Sequence, residues 1–423
     1  MTKPKKIILK NGLTVVTVPM KDTPTVTALV LVGTGSDYED KSVNGISHFL
    51  EHMCFKGTTA RPSAQAISHE LDSLGSQYNA FTDHELTGYY AKADAKKFKK
   101  NFEIISDIYL NSTFPEAEIE KEKGVIVEEI NMYEDMPHRH VQDIFGELLY
   151  GDQPAGRNIA GTKENVRKMT RDDFVKYKNA HYVPKATTIV IAGNVSDKDA
   201  LTEVKKHFGN MGGGVKGKKV KTQDKQTAPQ VMLKYKETDQ THFVLGFRSF
   251  DMFSKKNTTL SILGGVLGAG MSSRLFIKLR EDLGAAYYVN AYNNVSLDHG
   301  VFQISAGVTN ARTEEVIAEI LKECKKLKDE LVSESELKKV KSFIIGNSKM
   351  SLEASDDVAT YYGTQQLLKG EMKTIDEKAK EIEKITSRDI QKMAREIFTE
   401  NHLNMSLIGP HKDEAKFVKI LTL

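Results

Sequence analysis

Two stretches of the 423-residue sequence repeat the same pattern, and this repetition constrains the fold more than any other feature. Residues 170–195, TRDDFVKYKNAHYVPKATTIVIAGNV, align without gaps with residues 386–411, TSRDIQKMAREIFTENHLNMSLIGPH. Each copy has the pattern of an amphipathic helix followed by a short apolar strand that ends in glycine. A second pair, residues 114–132 and 332–350, lies at nearly the same separation, 218 positions instead of 216. The sequence therefore predicts a duplicated domain.

The fold class follows from the way strands and helices alternate within each half. Apolar runs of strand length, such as TVTALVLVGTGS and GVFQISAGV, occur beside helical segments such as ADAKKFKKNFEIISDIYLNS. Hairpin-like strand pairs mixed with helices favour an α+β fold over a purely parallel, doubly wound sheet. Residues 212–228 are rich in glycine and lysine and have the composition of a flexible linker. We predict two duplicated α+β domains, residues 1–211 and 229–423, each a sheet with flanking helices.

Composition and charge exclude several classes of protein. No run of about 18 apolar residues occurs, so we expect no membrane span. A formal net charge of +3 gives no general attraction to nucleic acid. The two cysteines, Cys54 and Cys324, are too few for a disulfide framework. With no apolar stretch of signal-peptide length at the N-terminus, they indicate a reducing, cytoplasmic location.

Residues 45–57, GISHFLEHMCFKG, contain two histidines four positions apart with a glutamate between them. The predicted helix has Asn44 as its N-cap and Gly57 as its C-cap. Its apolar residues fall on one side at helical spacing: Ile46, Phe49, Leu50, Met53 and Cys54. His48, Glu51, His52 and Phe55 form the opposite stripe. Two stacked imidazoles can bind one metal ion, and the alternative is a polar helix face without a ligand.

A catalytic zinc site needs a third protein ligand and one open position. The sequence EIEKEKGVIVEEINMYED, residues 118–135, has the pattern of a helix. Glu122 and Glu129 are two turns apart and share one face of it. Glu128 is also available, and periodicity does not choose between Glu128 and Glu129. Solvation explains most of the glutamates on such a helix.

Together, HFLEHMCFKGT and EKEKGVIVEEI resemble the pitrilysin and mitochondrial-processing-peptidase family, the inverzincins with the motif H-x-x-E-H. The resemblance implies one Zn²⁺ per chain, with His48 and His52 as two of its ligands. The third ligand in that family is a glutamate 77 positions after the second histidine, which corresponds to Glu129. The resemblance also implies that Glu51 is the general base. It implies that Glu122, seven positions before the ligand, orients a ligand histidine or balances charge.

The resemblance extends to an edge strand that would bind substrate. SQYNAFTDHELTGYYAKAD, residues 76–94, is similar to the family's N-A-[FY]-T strand. The resemblance implies that Asn79, Ala80 and Phe81 hold the substrate backbone by strand addition.

The resemblance also covers the second half of the chain. GAGMSSRLFIKLREDLGAAYYVNAY, residues 268–292, is similar to a segment whose arginine and tyrosine, seven apart, reach toward the metal site. The corresponding residues are Arg280 and Tyr287, which would stabilise the oxyanion and bind the substrate backbone. The second half has no H-x-x-E-H motif. Residues 1–211 are therefore expected to be a metal-binding peptidase domain, and residues 229–423 a degenerate copy without metal ligands.

The function implied by the resemblance is zinc-dependent hydrolysis of peptides or short unfolded polypeptides in an enclosed chamber. It also implies a homodimer in which Arg280 and Tyr287 of one protomer complete the metal site of its partner. One alternative is a non-catalytic assembly subunit, which the intact H-x-x-E-H trio disfavours. Another is a catalytic subunit that needs a different, metal-free partner chain. The presence of Arg280 and Tyr287 in the same chain favours self-assembly.

Overall fold

The chain forms two compact units, each containing one β-sheet. The computed structural model describes residues 3–423. Unit 1 consists of the residues up to Asn131, Arg157–Val220 and Lys349–Thr374, and unit 2 of Met132–Gly156, Lys221–Ser348 and Ile375–Leu423. Both units mix strands and helices, which confirms the predicted α+β class.

Strands and helices alternate along the chain. The strands are β1 (Lys5–Ile8), β2 (Thr14–Pro19), β3 (Thr25–Val32), β4 (Gln77–Thr82), β5 (Thr87–Asp94), β6 (Thr187–Gly193), β7 (Gln230–Tyr235), β8 (Gln240–Arg248), β9 (Ala286–Val295), β10 (Gly300–Thr309) and β11 (Leu403–Gly409). The first helices are α1 (Ile46–Cys54), α2 (Ala64–Ser73), α3 (Phe98–Asn111), α4 (Glu116–Asp135), α5 (Pro137–Tyr150), α6 (Lys163–Lys168), α7 (Arg171–His181) and α8 (Asp197–Phe208). The later helices are α9 (Asn257–Gly268), α10 (Arg274–Phe276), α11 (Thr313–Asp329), α12 (Glu334–Met350), α13 (Ser355–Lys369), α14 (Ile375–Glu383), α15 (Ser387–Ile397) and α16 (Glu414–Ile420). A π-helical turn, Ile277–Asp282, continues α10. No helix within residues 3–423 has the length and apolarity needed to cross a membrane.

The sheet of unit 1 has six strands among the described residues, in the order β1-β2-β6-β3-β5-β4. Strand β3 runs antiparallel to both β5 and β6, and β2 runs parallel to β6. Helix α3 covers the face that carries Val26, Ala28 and Val30. Helix α13 covers the other face, where Gly363 approaches Leu31. Because both faces are covered, β3 is apolar along nearly its whole length instead of alternating.

The sheet of unit 2 has five strands among the described residues, in the order β7-β11-β8-β10-β9. One face packs against α9, α11 and α15 through a core that includes Phe243 and Leu245. The other face packs against α5, where Val141 and Phe145 contact Val244. Successive residues of β8 thus point into different cores, as expected for a strand covered on both faces.

The aligned repeats adopt the same local structure in the two units. Thr170 and Asp173 form a capping box at the start of α7, and Thr386 and Asp389 form one at the start of α15. Each helix is followed at the same interval by a central strand, β6 in unit 1 and β11 in unit 2. The predicted helix and strand are therefore present in both copies, with the same N-terminal cap.

The two compact units do not correspond to the two parts of the chain before and after residues 212–228. Helix α5, from the first half of the sequence, belongs to unit 2, and α13, from the second half, belongs to unit 1. Ser355 at the start of α13 hydrogen-bonds Thr27 of β3 at 2.8 Å, and Asp356 pairs with Lys92 of β5 at 2.7 Å. Each sheet has two apolar faces, and a helix from the other half of the sequence covers one of them.

Residues 212–228 of the described chain form neither helix nor strand, and Lys219 ties them to unit 1. Its Nζ lies 2.8 Å from Asp37 Oδ2 and 2.6 Å from Glu85 Oε1; both carboxylates are buried, and the Lys219 side chain is 9% exposed. His84 Nδ1 lies 3.1 Å from the other oxygen of Asp37. Although burial raises the pKa of Asp37, His84 and Lys219 hold it below its ordinary value.

Replacing Lys219 with Met should loosen the turn between β4 and β5, because Asp37 and Glu85 would each lose a buried cation. Breaking a buried ion pair costs about 3 kcal/mol, so local opening should become about 100-fold more frequent. The backbone amides of Ser36 and Asp37 donate to the carbonyls of residues 83 and 84, and hydrogen exchange at these amides measures the opening. Lys218→Met, at the exposed neighbouring position, is the control. Equal exchange in both variants would mean that Lys219 does not anchor the linker.

Candidate metal centre

Helix α1 (Ile46–Cys54) carries the two histidines. Its predicted apolar side is buried: Ile46, Phe49, Leu50, Met53 and Cys54. His48, Glu51 and His52 form the opposite, half-buried stripe. The centroids of the two imidazole rings are 4.6 Å apart, as expected for positions four apart on a helix. The C-cap is Phe55, so the predicted C-cap, Gly57, was placed two residues too late.

The N-terminus of α1 is capped by the side chain of Glu39. Asn44 was predicted as the N-cap, but that position belongs to Gly45, whose φ is 101°. Asn44 instead donates to Glu39, a carboxylate only 4% exposed. Glu39 also accepts the N–H groups of Gly45 at 2.7 Å and Ser47 at 2.8 Å. Because these N–H groups have no partner within the helix, a carboxylate is a favourable cap.

Helix α4 (Glu116–Asp135) brings the glutamates to α1. Glu122 is buried and Glu129 is half-buried, whereas Glu128 is exposed. Glu122 Oε1 lies 2.9 Å from His52 Nδ1, and its Oε2 lies 2.5 Å from Lys56 Nζ. Seven residues later, Glu129 faces the same way, and its carboxylate reaches both histidines. The structure therefore groups Glu129, and not Glu128, with the two histidines.

Three ligand atoms converge between the two helices. Glu129 Oε2 lies 3.7 Å from His48 Nε2 and 3.6 Å from His52 Nε2. One donor atom from each of these three residues lies within 4.8 Å of the others. Zinc bonds of about 2.1 Å in tetrahedral geometry place ligand atoms about 3.4 Å apart. The distances between these atoms, and the combination of two nitrogens with one oxygen, are therefore compatible with a zinc site.

Burial and mutual hydrogen bonds set the ionisation of the residues in the site. Burial, together with the neighbouring His52, lowers the pKa of His48 to about 3, so its ring is neutral near pH 7. Burial alone would lower the pKa of His52, but its hydrogen bond to Glu122 raises the pKa above the ordinary value. Burial raises the pKa of Glu122, yet His52 and Lys56 together hold it below the ordinary value. An ionised Glu122 accepts the Nδ1 proton of His52 and leaves Nε2 available for a metal.

Glu51 lies beside the ligand group and is oriented by a different element. Thr82, the last residue of β4, donates its hydroxyl to Glu51 Oε2 at 2.6 Å. Burial raises the pKa of Glu51, and the hydrogen bond from Thr82 opposes that shift. A carboxylate with a raised pKa next to a metal site is suited to accept and return a proton.

Strand β4 (Gln77–Thr82) is an edge strand that pairs only with β5 among the described residues. Asn79 is exposed on it, and its Oδ1 accepts the N–H of Ala80 at 2.9 Å. The ring of Phe81 lies over β5, where a Cβ on Gly88 would be only 2.4 Å from it. The three predicted substrate-binding residues thus lie on one edge strand. The Phe81 ring packs against β5 of the same sheet. The Asn79 side chain accepts a hydrogen bond from the backbone N–H of Ala80 on the edge strand.

A cavity of about 480 Å³ opens beside Glu51 and His52. Its apolar wall includes Phe55 and Tyr78, whose rings stack with centroids 6.4 Å apart. Asn79 of the edge strand also lines it. A cavity of this size next to the reactive groups can receive a side chain of a bound peptide.

Arg280 and Tyr287 belong to unit 2 and are paired with each other. Arg280 lies in the π-helical turn Ile277–Asp282, and its Nη1 donates to the backbone carbonyl of Tyr287 at 2.8 Å. The Tyr287 side chain, at the start of β9, is 58% exposed. Both side chains are therefore accessible to a ligand in the described chain.

Comparison with known proteins agrees with this geometry. The family model described as Insulinase (Peptidase family M16) matches residues 14–163, and the model of the Peptidase M16 inactive domain matches residues 168–344. The chain is 35% identical to a Bacillus subtilis protein named uncharacterized zinc protease YmxG, with 96% of this chain and 98% of that protein aligned. It is 34% identical to an uncharacterized zinc protease of Rickettsia bellii, with 95% of this chain and 97% of that protein aligned. The chain belongs to peptidase family M16.

A solved structure supports the fold of this M16 family member. The crystal structure of a protease from Helicobacter pylori matches with a TM-score of 0.91 at 24% sequence identity. The match covers 96% of this chain and 99% of that one. The predicted resemblance to the inverzincin family is thereby confirmed, since the insulinase and pitrilysin family is M16.

The inactive-domain match agrees with what stands opposite the metal ligands in the second repeat. Aligned repeats put Val340 opposite Glu122 and Asn347 opposite Glu129, both on α12. Val340 is buried, and Asn347 donates to the carbonyl of Phe343 at 2.8 Å. Neither residue of this M16 family member carries a carboxylate. Helix α12 therefore repeats the helical structure of α4 but lacks the candidate metal ligand and its supporting glutamate.

Three residues of this M16 site were missed from the sequence. Lys56 pairs with Glu122, Thr82 bonds Glu51, and Glu39 caps α1. Lys56 is four positions after His52, which is a helical signal for a shared face. Thr82 closes the N-A-F-T segment, where its hydroxyl was left without a role. Nothing local marks Glu39, because its partners depend on how the loop before α1 folds.

Glu129→Gln should weaken zinc binding far more than Glu128→Gln, because only the Glu129 carboxylate reaches both histidines. We expect the loss to exceed about 100-fold, the upper end for residues that merely orient a ligand. Competition with a chelator of known zinc affinity measures it. The exposed Glu128 is a matched control on the same turn, with the same change of charge. Equal losses in the two variants would remove Glu129 from the ligand set.

Proposed function

We propose that this M16 family member is a zinc-dependent endopeptidase that hydrolyses peptides and short unfolded polypeptides. The convergence of His48, His52 and Glu129, with Glu51 beside them, carries the proposal. One Zn²⁺ per chain matches this donor set of two nitrogens and one oxygen. The names of the curated relatives, which are zinc proteases, support the same activity.

The reaction needs a group that activates water, and Glu51 is suited to that role. His48, His52 and Glu129 would hold Zn²⁺, which when bound would supply the Lewis-acid chemistry that acidifies water and polarises the scissile carbonyl. Glu51 takes a proton from the attacking water on its carboxylate and later delivers it to the leaving amine. Its raised pKa favours the first step, because a more basic carboxylate takes the proton from water more readily.

Glu122 and Lys56 act through His52. The Glu122 carboxylate fixes the ring orientation and the tautomer of His52 by accepting at Nδ1. Lys56 balances the negative charge of Glu122, whose side chain is only 5% exposed. We therefore assign Glu122 a supporting role in metal binding, and Lys56 the role of holding Glu122.

The substrate is best accommodated as an extended chain. Strand β4 has an open edge at Asn79, Ala80 and Phe81, which ends within hydrogen-bond reach of Glu51 through Thr82. A peptide added as a further strand would replace the contact between Asn79 Oδ1 and the N–H of Ala80. Folded proteins rarely offer a free extended segment, so this binding mode favours peptides and unfolded polypeptides. The enclosed chamber implied by the family resemblance would exclude folded proteins as well.

Arg280 and Tyr287 are proposed to bind the substrate backbone and stabilise the oxyanion. We further propose a homodimer with two-fold symmetry, in which these residues of one protomer serve the metal site of its partner. A cytoplasmic location is consistent with Cys54 and Cys324, which are free and buried. The intact ligand trio favours this enzyme over a non-catalytic assembly subunit.

Glu51→Gln should retain zinc and lose turnover, because the amide keeps the shape of the side chain but cannot take a proton. We expect kcat to fall by about 10²–10⁴-fold on a peptide mixture. Zinc content, determined by elemental analysis, should stay at one per chain. Turnover at the wild-type rate in a zinc-loaded Glu51→Gln protein would exclude Glu51 as the base.

Mixing two inactive variants tests the shared site. In a mixed dimer of Glu51→Gln and Tyr287→Phe chains, one site has both lesions and the other has none. Random exchange should therefore restore about a quarter of wild-type activity. A mixture of Glu51→Gln with His52→Ala is the matched control and should stay inactive, because both changes lie in the metal half. No recovery after verified subunit exchange would place each complete site within one chain.

A further inference from the structure

We propose that Thr82 is a positioning residue that holds Glu51 in the orientation needed for catalysis, and thereby joins the base to the substrate-binding edge strand. The inference rests on the proposed function, since it assigns Thr82 a role toward the proposed base. Glu51 is on α1 and Thr82 is on β4. The contact therefore joins two different elements through residues that are 31 positions apart in sequence.

The hydrogen bond has one possible direction. An ionised carboxylate only accepts hydrogen bonds, so the Thr82 hydroxyl donates to Glu51 Oε2 at 2.6 Å. This short contact holds one carboxylate oxygen against the sheet. Because the carboxylate is planar, this contact also restricts the position of the second oxygen, Oε1.

The position of Thr82 is itself fixed from outside α1. Thr82 pairs with Thr87 of β5, and the turn between them is tied to the loop after β3. There the N–H of Asp37 donates to the carbonyl of His84 at 2.8 Å. Lys219 bridges Asp37 and Glu85 at the same turn. A donor held on this many sides can orient a flexible carboxylate.

Loss of the bond should affect turnover more than binding. Glu51 has three rotatable side-chain bonds, and without Thr82 the carboxylate would spend less time aligned with the water it activates. The substrate is proposed to bind the backbone of β4, which the Thr82 side chain does not supply. A specific fall in kcat, with KM unchanged, is therefore the expected signature.

The experiment compares Thr82→Val, which keeps the shape and removes the hydroxyl, with Thr82→Ser, which keeps the hydroxyl. We expect kcat of Thr82→Val to fall about 10-fold with KM within about twofold of wild type, and Thr82→Ser to stay within about twofold for both. Zinc content should remain that of the wild type in each. Thr202→Val, on the exposed face of α8, controls for the loss of a threonine hydroxyl elsewhere in unit 1 and should leave kcat unchanged.

Crystal structures of the metal-free variants give a readout that does not depend on activity. Glu51 should occupy more than one side-chain conformation in Thr82→Val, and a single one in wild type and Thr82→Ser. An unchanged kcat in Thr82→Val, or an equal loss in Thr82→Ser, would overturn the positioning role. If zinc-loaded wild-type protein cleaves no peptide, the proposed function fails. A single Glu51 conformation in Thr82→Val would instead refute the positioning role alone.

Discussion

The hydrogen bond between His52 and Glu122 determines how the two ligand-bearing helices meet. Glu122 is only 4% exposed, and a carboxylate so buried is stable only with charged or hydrogen-bonding partners. His52 Nδ1 on one oxygen and Lys56 Nζ on the other meet that requirement. Once Glu122 faces α1, the helix repeat carries Glu129 to nearly the same direction, since seven residues return within about 20°. The position of Glu129, the proposed third ligand, thus depends on Glu122, which lies outside the proposed ligand group.

The position of α1 depends in turn on the rest of unit 1. Its apolar side is buried against the core of the sheet, and Glu39 caps its N-terminus with two backbone hydrogen bonds. On the exposed side, Thr82 of the edge strand reaches Glu51. The helix is therefore fixed by the core on one side, by a carboxylate at its start, and by β4 beside the reactive groups. The proposed substrate-binding strand and the proposed base are therefore joined at the β4–β5 hairpin.

The two sheets also show why the chain does not divide cleanly into consecutive halves. Strands such as β3 and β8 send neighbouring side chains into different cores, and each face must be covered to remain stable. Helix α13 supplies that cover in unit 1 and α5 in unit 2. The repeated sequences still produce equivalent elements, because the capping boxes at Thr170 and Thr386 and the strands that follow are local features.

The sequence by itself determined the α+β class, the repeated helix and strand, the two sides of α1, and the pairing of two histidines with a glutamate. The repeat follows from the alignment of the two halves, and the glutamate from the resemblance to a known family. The class and the two sides of α1 follow from periodicity, which records the side of an element that is buried. Tertiary structure decided which partner lies on that side. Periodicity left Glu128 and Glu129 equivalent and the family resemblance selected Glu129, whose carboxylate the tertiary structure brings within 3.7 Å of both histidines. The capping of α1 by Glu39, the roles of Thr82 and Lys56, and the exchange of α5 and α13 all depend on contacts between distant segments. Spacing along the chain carries no record of such contacts, because they form only when the sheets and helices have packed.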